Sequence, residues 1–421
     1  MPARLIITAD DFGLTRGATD TVLEAVDGGA LSCVSVIPNG QAVMYALEEW
    51  KKRSDTLSLS LHLNLTEGIA LSTPDDIPHL ADARGVFRHS PFGLLLKCYA
   101  LSPKTRRILR QELEKEIGAQ IELIRREIGD APLAVDGHQH IHMIPCVFSI
   151  LVRAPFARIR MPREPFFVAT EFPFAYLSTG LIRHLGLNIL SAINRPTAAR
   201  HGMPHTSHFI GTLLSGTLTM GAVASALGEA RRKGAESVEI AFHPGSEPAL
   251  DGWHGDVAWH ASAWRARERE LLMDPAFADL LRSFKDDTFA GTGSRVLELA
   301  RFTTSGILAA ATNLGILYVG TELFGAWYML SASVAFVAAV VVSFLLQKFW
   351  TFSHTAGDEV RSREVAFFLA NNAFGLVFNA VALYALVEYL AVWYLLAQFL
   401  ILILLSTWSF FVYRLVIFVR R

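Results

Sequence analysis

From Val296 onward this 421-residue chain is dominated by four long apolar runs that are almost free of charge. They cover roughly 302–324, 327–347, 365–387 and 393–413. Each reaches about the 20 residues that a helix needs to cross the hydrocarbon core of a bilayer. Up to about Ser294, charged and apolar residues mix as in a globular protein. The expected organisation is therefore a soluble domain over 1–294 and an all-α four-helix transmembrane domain over 295–421. The overall 52% of apolar residues is an average over two unlike parts.

Positive charge gives the membrane block an orientation. Arg295 and Arg301 precede the first run, Lys348, Arg361 and Arg363 separate the second from the third, and Arg414, Arg420 and Arg421 follow the fourth. The connections around 321–327 and 388–393 carry no Lys or Arg. Because Lys and Arg collect in cytoplasmic loops, a multi-pass protein of the inner (cytoplasmic) membrane with both termini in the cytoplasm is expected. The lipid bilayer is then one partner.

The block also repeats itself. A shift of 66 positions, from Glu322 to Glu388, superposes Asn313 on Asn379, Tyr318 on Tyr384, Trp327-Tyr328 on Trp393-Tyr394 and Ser343-Phe344 on Ser409-Phe410. The unit is a two-helix hairpin, and two crossings return the chain to its starting side, so the copies run parallel. The Trp-Tyr pairs fall where an interfacial aromatic belt belongs. Asn313 and Asn379 fall near mid-span, where an amide is costly unless it pairs; bonding between helices and contact with a lipid headgroup both meet that need.

Arg301-Phe302 with Asn313, and Ser343-Phe344-Leu345-Leu346-Gln347-Lys348-Phe349-Trp350-Thr351-Phe352, carry a resemblance to the GtrA-like family. These four-span proteins are associated with moving polyprenyl-linked sugars across the bilayer. The resemblance covers about 298–419 and brings no catalytic residue with it. A membrane unit this small is compatible with a homo-oligomer.

The formal net charge of −1 leaves no basic footprint, so nucleic acid is not an expected partner. Cys33, Cys98 and Cys146 are odd in number, scattered and without CxxC spacing. That pattern argues against a disulfide framework and suits a reducing compartment. The opening apolar stretch, Leu5–Ile7, is too short for a signal peptide.

In the soluble part, short apolar strands alternate with amphipathic helices. Strands are expected at Leu5–Ala9, Cys33–Ile37, Leu57–Leu65, Leu133–Val135, Arg158–Met161, Ser207–Gly211 and Val238–Phe242, and helices at Thr105–Ile128 and Met220–Lys233. The predicted fold class is α/β, a (β/α)-barrel-like domain. Asp10, Asp11, His62, His138 and His243 all fall at or near the carboxyl ends of strands, the face that carries the site in barrels of this class. His79, His89, His184 and His254 sit in loop-like or helical contexts and are expected at the surface.

One carboxylate and two imidazoles, Asp11, His62 and His138, suit a divalent metal with open positions. The adjacent Asp10 is then free to take a proton from water, and His243 can protonate a leaving amine. Other pairings, such as His138 with His142, remain open on spacing alone.

Ala9-Asp10-Asp11-Phe12-Gly13-Leu14, Leu61-His62-Leu63-Asn64-Leu65-Thr66, Asp136-Gly137-His138-Gln139-His140-Ile141-His142 and Phe242-His243-Pro244-Gly245 resemble the YdjC-like (ChbG/HpnK) carbohydrate deacetylases, in family order. The resemblance implies hydrolysis of an acetamide on an amino sugar. It also implies a divalent metal, usually magnesium, held by Asp11, His62 and His138. By analogy with NodB-type deacetylases, Asp10 is the base and His243 the acid. Substrate contacts are expected from Asn64, His140 and His142, and from Arg160 and Arg163 of a stretch most like the hopanoid-associated branch. Two imidazoles sit uneasily with magnesium, so zinc, manganese or cobalt are alternatives. Fusion to the membrane block points to a lipid-linked or glycolipid amino sugar as substrate. The alternative is a flippase component for lipid-linked sugars whose soluble domain only binds sugar.

Overall fold

The computed structural model describes residues 4–100, 102–165, 167, 179–245, 253–255, 263–286, 295–346, 362–390 and 392–412. Lys348, Arg361, Arg414, Arg420 and Arg421 of the charge argument lie outside them. The chain divides into two compact units, Met1–Thr292 and Gly293–Arg421.

In the first unit, β1 (Arg4–Phe12), β2 (Cys33–Val36), β3 (Ser58–Leu63), β4 (Leu133–Gly137), β5 (Arg158–Ile159), β6 (His208–Ile210) and β7 (Ser237–Phe242) fall on the seven predicted segments. They form one parallel sheet in the order β5-β4-β3-β2-β1-β7-β6. The sheet curls until its edges meet. Ile159 bridges His205 just ahead of β6, and the Phe209 N–H donates to the Arg163 carbonyl at 3.0 Å. The strands are buried almost throughout, as expected when helices cover a parallel sheet.

Local sequence sets the helix ends. α1 (Arg16–Asp27) starts where the Thr15 side chain accepts from the Ala18 N–H, an N-cap worth about 1 kcal/mol. α2 is Val43–Lys51 and α3 is Pro91–Ala100. α4 (Pro103–Ile128) has Ser102 as N-cap and Pro103 at its first position, where the missing N–H costs nothing. α5 (Pro145–Leu151), α6 (Thr179–Arg200), α7 (Met220–Arg232), α8 (Ala263–Met273) and α9 (Pro275–Lys285) follow among the described residues of the unit. Just past β1 the chain is packed to contact: a Cβ on Gly40 would collide with the Gly13 carbonyl oxygen.

Two expectations are corrected. Cys98 of α3 and Cys146 of α5 form a disulfide. Sequence spacing hid the pair because a separation of 48 residues says nothing about which helices pack together. The cysteines therefore no longer support a reducing compartment. His184 is not at the surface: it is buried on α6, with Nδ1 at 2.9 Å from Glu164 and 3.2 Å from the Thr212 hydroxyl.

The second unit holds α10 (Arg295–Tyr318), α11 (Tyr328–Leu346), α12 (Ser362–Tyr384) and α13 (Tyr394–Val412). Thr304–Leu323 and Ala370–Tyr389 are long and apolar enough to cross a membrane, and Tyr328–Ser343 is a shorter apolar helix. The repeat seen in the sequence is a repeat of structure. α10 and α12 each run on into a π-helical turn, Val319–Leu323 and Ala385–Tyr389. The hairpins also exchange hydrogen bonds: the Tyr328 hydroxyl donates to Glu388, and its counterpart Tyr394 donates to Glu322. In the apolar interior, Gln398 Nε2 donates to Asn313 Oδ1 at 2.8 Å and to Asn379 Oδ1 at 2.9 Å. Amide pairing between helices thus satisfies the Oδ1 atoms of both asparagines.

Candidate active site

Adjacent residues of a regular strand point to opposite faces. β1 escapes this rule at its carboxyl end, where its register against β2 shifts between Ala9 and Phe12 and Asp11 takes a φ of 59°. The irregularity lets both Asp10 and Asp11 serve one site. A non-glycine residue in this region costs about 1–3 kcal/mol, so its surroundings must hold it there. Arg265 of α8 contributes: its Nη1 donates to Asp11 Oδ2 at 2.8 Å.

His62, the penultimate residue of β3, has Nδ1 2.6 Å from Asp136 Oδ1 on β4, while its Nε2 lies 3.5 Å from Asp11 Oδ1. His138, just past β4, brings Nδ1 to 3.3 Å from the same oxygen. Donor atoms of Asp11, His62 and His138 all lie within 4.8 Å of one another. Asp10, His62 and Asp136 meet the same distance test. There, however, Ser35 and Ser60 bond Asp136, and Arg160 takes both Asp10 oxygens.

On its other side, His138 Nε2 is 3.4 Å from Glu67 Oε2. Burial opposes a charge on His138, yet the Asp11 and Glu67 carboxylates raise its pKa to about 10. Surroundings that attract a proton this strongly favour a cation. One carboxylate with two imidazoles is a donor set for divalent ions of the zinc, manganese and cobalt type. These residues therefore fit a divalent metal.

Asp10 is not the loose carboxylate expected of it. Arg160, only 1% exposed, donates to its two oxygens at 2.7 and 2.8 Å. The same guanidinium reaches Glu239 at 3.0 Å and Asp136 at 3.2 Å. Arg160 is thus a buried brace across β1, β4 and β7 rather than a side chain open to sugar. Its partners come from three distant strands, so a charged stretch read in isolation could not reveal them.

The remaining candidates divide. Asn64 is buried and shapes its own loop, with Oδ1 accepting from the Thr66 and Glu67 N–H groups and Nδ2 donating to the Glu67 carbonyl. His142 is turned inward, with Nε2 3.1 Å from the Arg160 carbonyl. His140, at a φ of 56°, is half-buried and edge-on to Phe209. Arg163 is exposed.

His243 follows β7 with Nε2 at 3.7 Å from Asp10 Oδ2. Burial lowers its pKa to about 4, so it starts neutral at pH 7. Behind it, Glu268 of α8 accepts from the His243 N–H at 2.6 Å and the Leu218 N–H at 3.1 Å. Burial pushes Glu268 from 4.5 up to about 7. Between these values the unfolded chain ionises while the folded one keeps its proton, so this group's contribution to stability is full below pH 4.5 and is lost as pH rises through 7. Glu268→Gln is therefore expected to gain on the parent between pH 5 and pH 8, by about 3 kcal/mol. Thermal melting of the full chain at the two pH values tests this, and a difference independent of pH would exclude it.

Glu67, Asp136, Arg265 and Glu268 were not singled out from sequence. Glu67 and Asp136 adjoin or lie within the motifs, and that adjacency was the available signal. Arg265 and Glu268 share one face of a helix crowded with charge, and only burial separates them from the exposed Arg267 and Glu270.

The family model described as YdjC-like protein matches residues 4–283, and the GtrA/DPMS transmembrane domain matches 301–418. The chain is similar to a carbohydrate deacetylase of Mus musculus, at 28% identity over 65% of this chain and 88% of that protein. It is similar to a carbohydrate deacetylase of Homo sapiens, at 28% identity over 65% of this chain and 85% of that protein. A chitooligosaccharide deacetylase of Salmonella typhimurium is 28% identical over 42% of this chain and 66% of its own length.

Proposed function

Because this chain belongs to the YdjC-like protein family through residues 4–283, we propose that its soluble unit is a metal-dependent carbohydrate deacetylase that removes the N-acetyl group of an amino sugar. The observation that carries this reading is the convergence of Asp11, His62 and His138, with Asp10 and His243 beside them. The similar proteins named as deacetylases support it.

Asp11, His62 and His138 would hold the metal; magnesium follows from the resemblance, while zinc, manganese or cobalt follow from the donor set. When bound, the metal supplies Lewis-acid polarisation of the acetamide carbonyl. Asp10, aligned by Arg160, takes a proton from the attacking water. His243, at 3.7 Å from Asp10, accepts that proton in turn and delivers it to the sugar nitrogen as the C–N bond breaks. Acetate and a free amine leave. His140 and Arg163 remain as substrate contacts, while Asn64, His142 and Arg160 hold the framework.

The substrate we infer is lipid-linked, since the same chain carries the GtrA-like membrane domain. The four apolar runs support four crossings, and the placement of Lys and Arg supports both termini in the cytoplasm. Asp10→Asn should lower acetate release from an N-acetylated sugar roughly 10²–10⁴-fold while elemental analysis finds the metal retained. Unchanged release would remove Asp10 from the mechanism. Equal kcat/KM on soluble and lipid-linked substrates would remove the lipid from the reading.

A further inference from the structure

α3 is amphipathic in an unusual sense, because its outer face is apolar. Leu94 and Cys98 point inward and are buried, whereas Phe92, Leu96 and Tyr99 are 68%, 50% and 54% exposed. The spacing of these three, four and then three residues, places them in one stripe along the helix. Isolated exposed apolar side chains are ordinary, but three large ones in a row on one short helix mark a contact surface.

The surroundings of the stripe say what it contacts. From Arg88 to Arg110 the chain carries Arg88, Lys97, Lys104, Arg106, Arg107 and Arg110 with no Asp or Glu between them, although the whole chain has a net charge of −1. Lys104, Arg106 and Arg107 are exposed on the first turns of α4, against which α3 packs. An apolar stripe rimmed by cations is complementary to an anionic lipid interface. The same rim would repel a second copy of itself.

We propose that α3 and the start of α4 form a docking surface for an anionic lipid bilayer. The membrane domain at 301–418 keeps the soluble unit close to lipid, so docking is intramolecular and a small patch suffices. α3 also packs against the 3-10 segment His138–Met143 and is tied to α5 by the Cys98–Cys146 disulfide. Docking would therefore bring the rim of the active site to the lipid surface, where a lipid-linked sugar presents itself.

The test uses the full chain in nanodiscs and needs no substrate, so its outcome is separate from that of the deacetylation reading. A nitroxide is placed at Leu96→Cys and, as reference, at the exposed Ser54→Cys; Cys33 is buried and the other two cysteines are paired. In nanodiscs of phosphatidylcholine with phosphatidylglycerol, the Leu96 label should favour collision with oxygen over a water-soluble nickel complex, and the Ser54 label should not. Pure phosphatidylcholine should weaken this protection. Lys104→Gln with Arg106→Gln and Arg107→Gln should lower the docking equilibrium roughly a hundredfold. Equal nickel access at both positions in both lipids would overturn the proposal. So would protection that ignores lipid charge and grows with protein concentration, which would identify a second copy as the occupant.

Discussion

Asp11→Asn is expected to bring acetate release to background and to leave the purified protein with little bound metal. The substitution is nearly isosteric, but it removes the carboxylate charge toward which both His62 Nε2 and His138 Nδ1 are turned. It also weakens the tie to Arg265 that helps hold residue 11 at its positive φ. The Lewis-acid contribution at stake is several kcal/mol, or about three orders of magnitude in rate. Elemental analysis beside an acetate assay measures both effects. Full metal content with full activity would move the metal to another set of ligands.

The largest effect on folding is expected at Arg160, for Arg160→Met. This side chain is the countercharge for Asp10, Asp136 and Glu239, all buried. Breaking a buried ion pair from one side costs about 3–5 kcal/mol, because the abandoned charge stays in the interior. A typical domain has only about 5–15 kcal/mol of stability in total. Arg160→Met should therefore lower the melting temperature of the soluble unit sharply. Adding Glu239→Gln should restore part of it by removing one of the stranded charges. Arg160→Lys should rescue little, since an ammonium cannot span two oxygens of one carboxylate and a second acid at once. An unchanged melting temperature for Arg160→Met would show that those carboxylates are compensated elsewhere.

The seven strands and the strand-end position of each reactive side chain could be read from periodicity. Parallel strands buried on both faces are short apolar runs, and a polar residue that interrupts such a run at its end stands out. Asp11, His62 and His138 were visible in this way. The relations between strands were not. Asp136 looks like one more motif residue until His62, Ser35 and Ser60 are seen to converge on it. Arg160 looks like a substrate contact until its three carboxylates arrive from other strands. Burial separates Glu268 from its neighbours on α8, and burial is a property of the fold. The disulfide escaped for the same reason, since contact between α3 and α5 has no signature in either helix. In the membrane unit the repeat was plain because duplication is written residue by residue. The exchange of Tyr–Glu hydrogen bonds between hairpins belongs to packing alone.

The amide cluster in that unit bears on its symmetry. Asn313 and Asn379 are counterparts, but the counterpart of Gln398 is the buried Ala332. A dimer of identical hairpins carries every residue twice, so it cannot place one glutamine between two asparagines; it would have two glutamines or none. A single chain carrying both hairpins is free of that constraint, because positions 332 and 398 can differ. The present arrangement therefore needs two unlike hairpins, and the halves are not interchangeable. Two copies of the first hairpin would lack the glutamine, and two copies of the second would bring one too many.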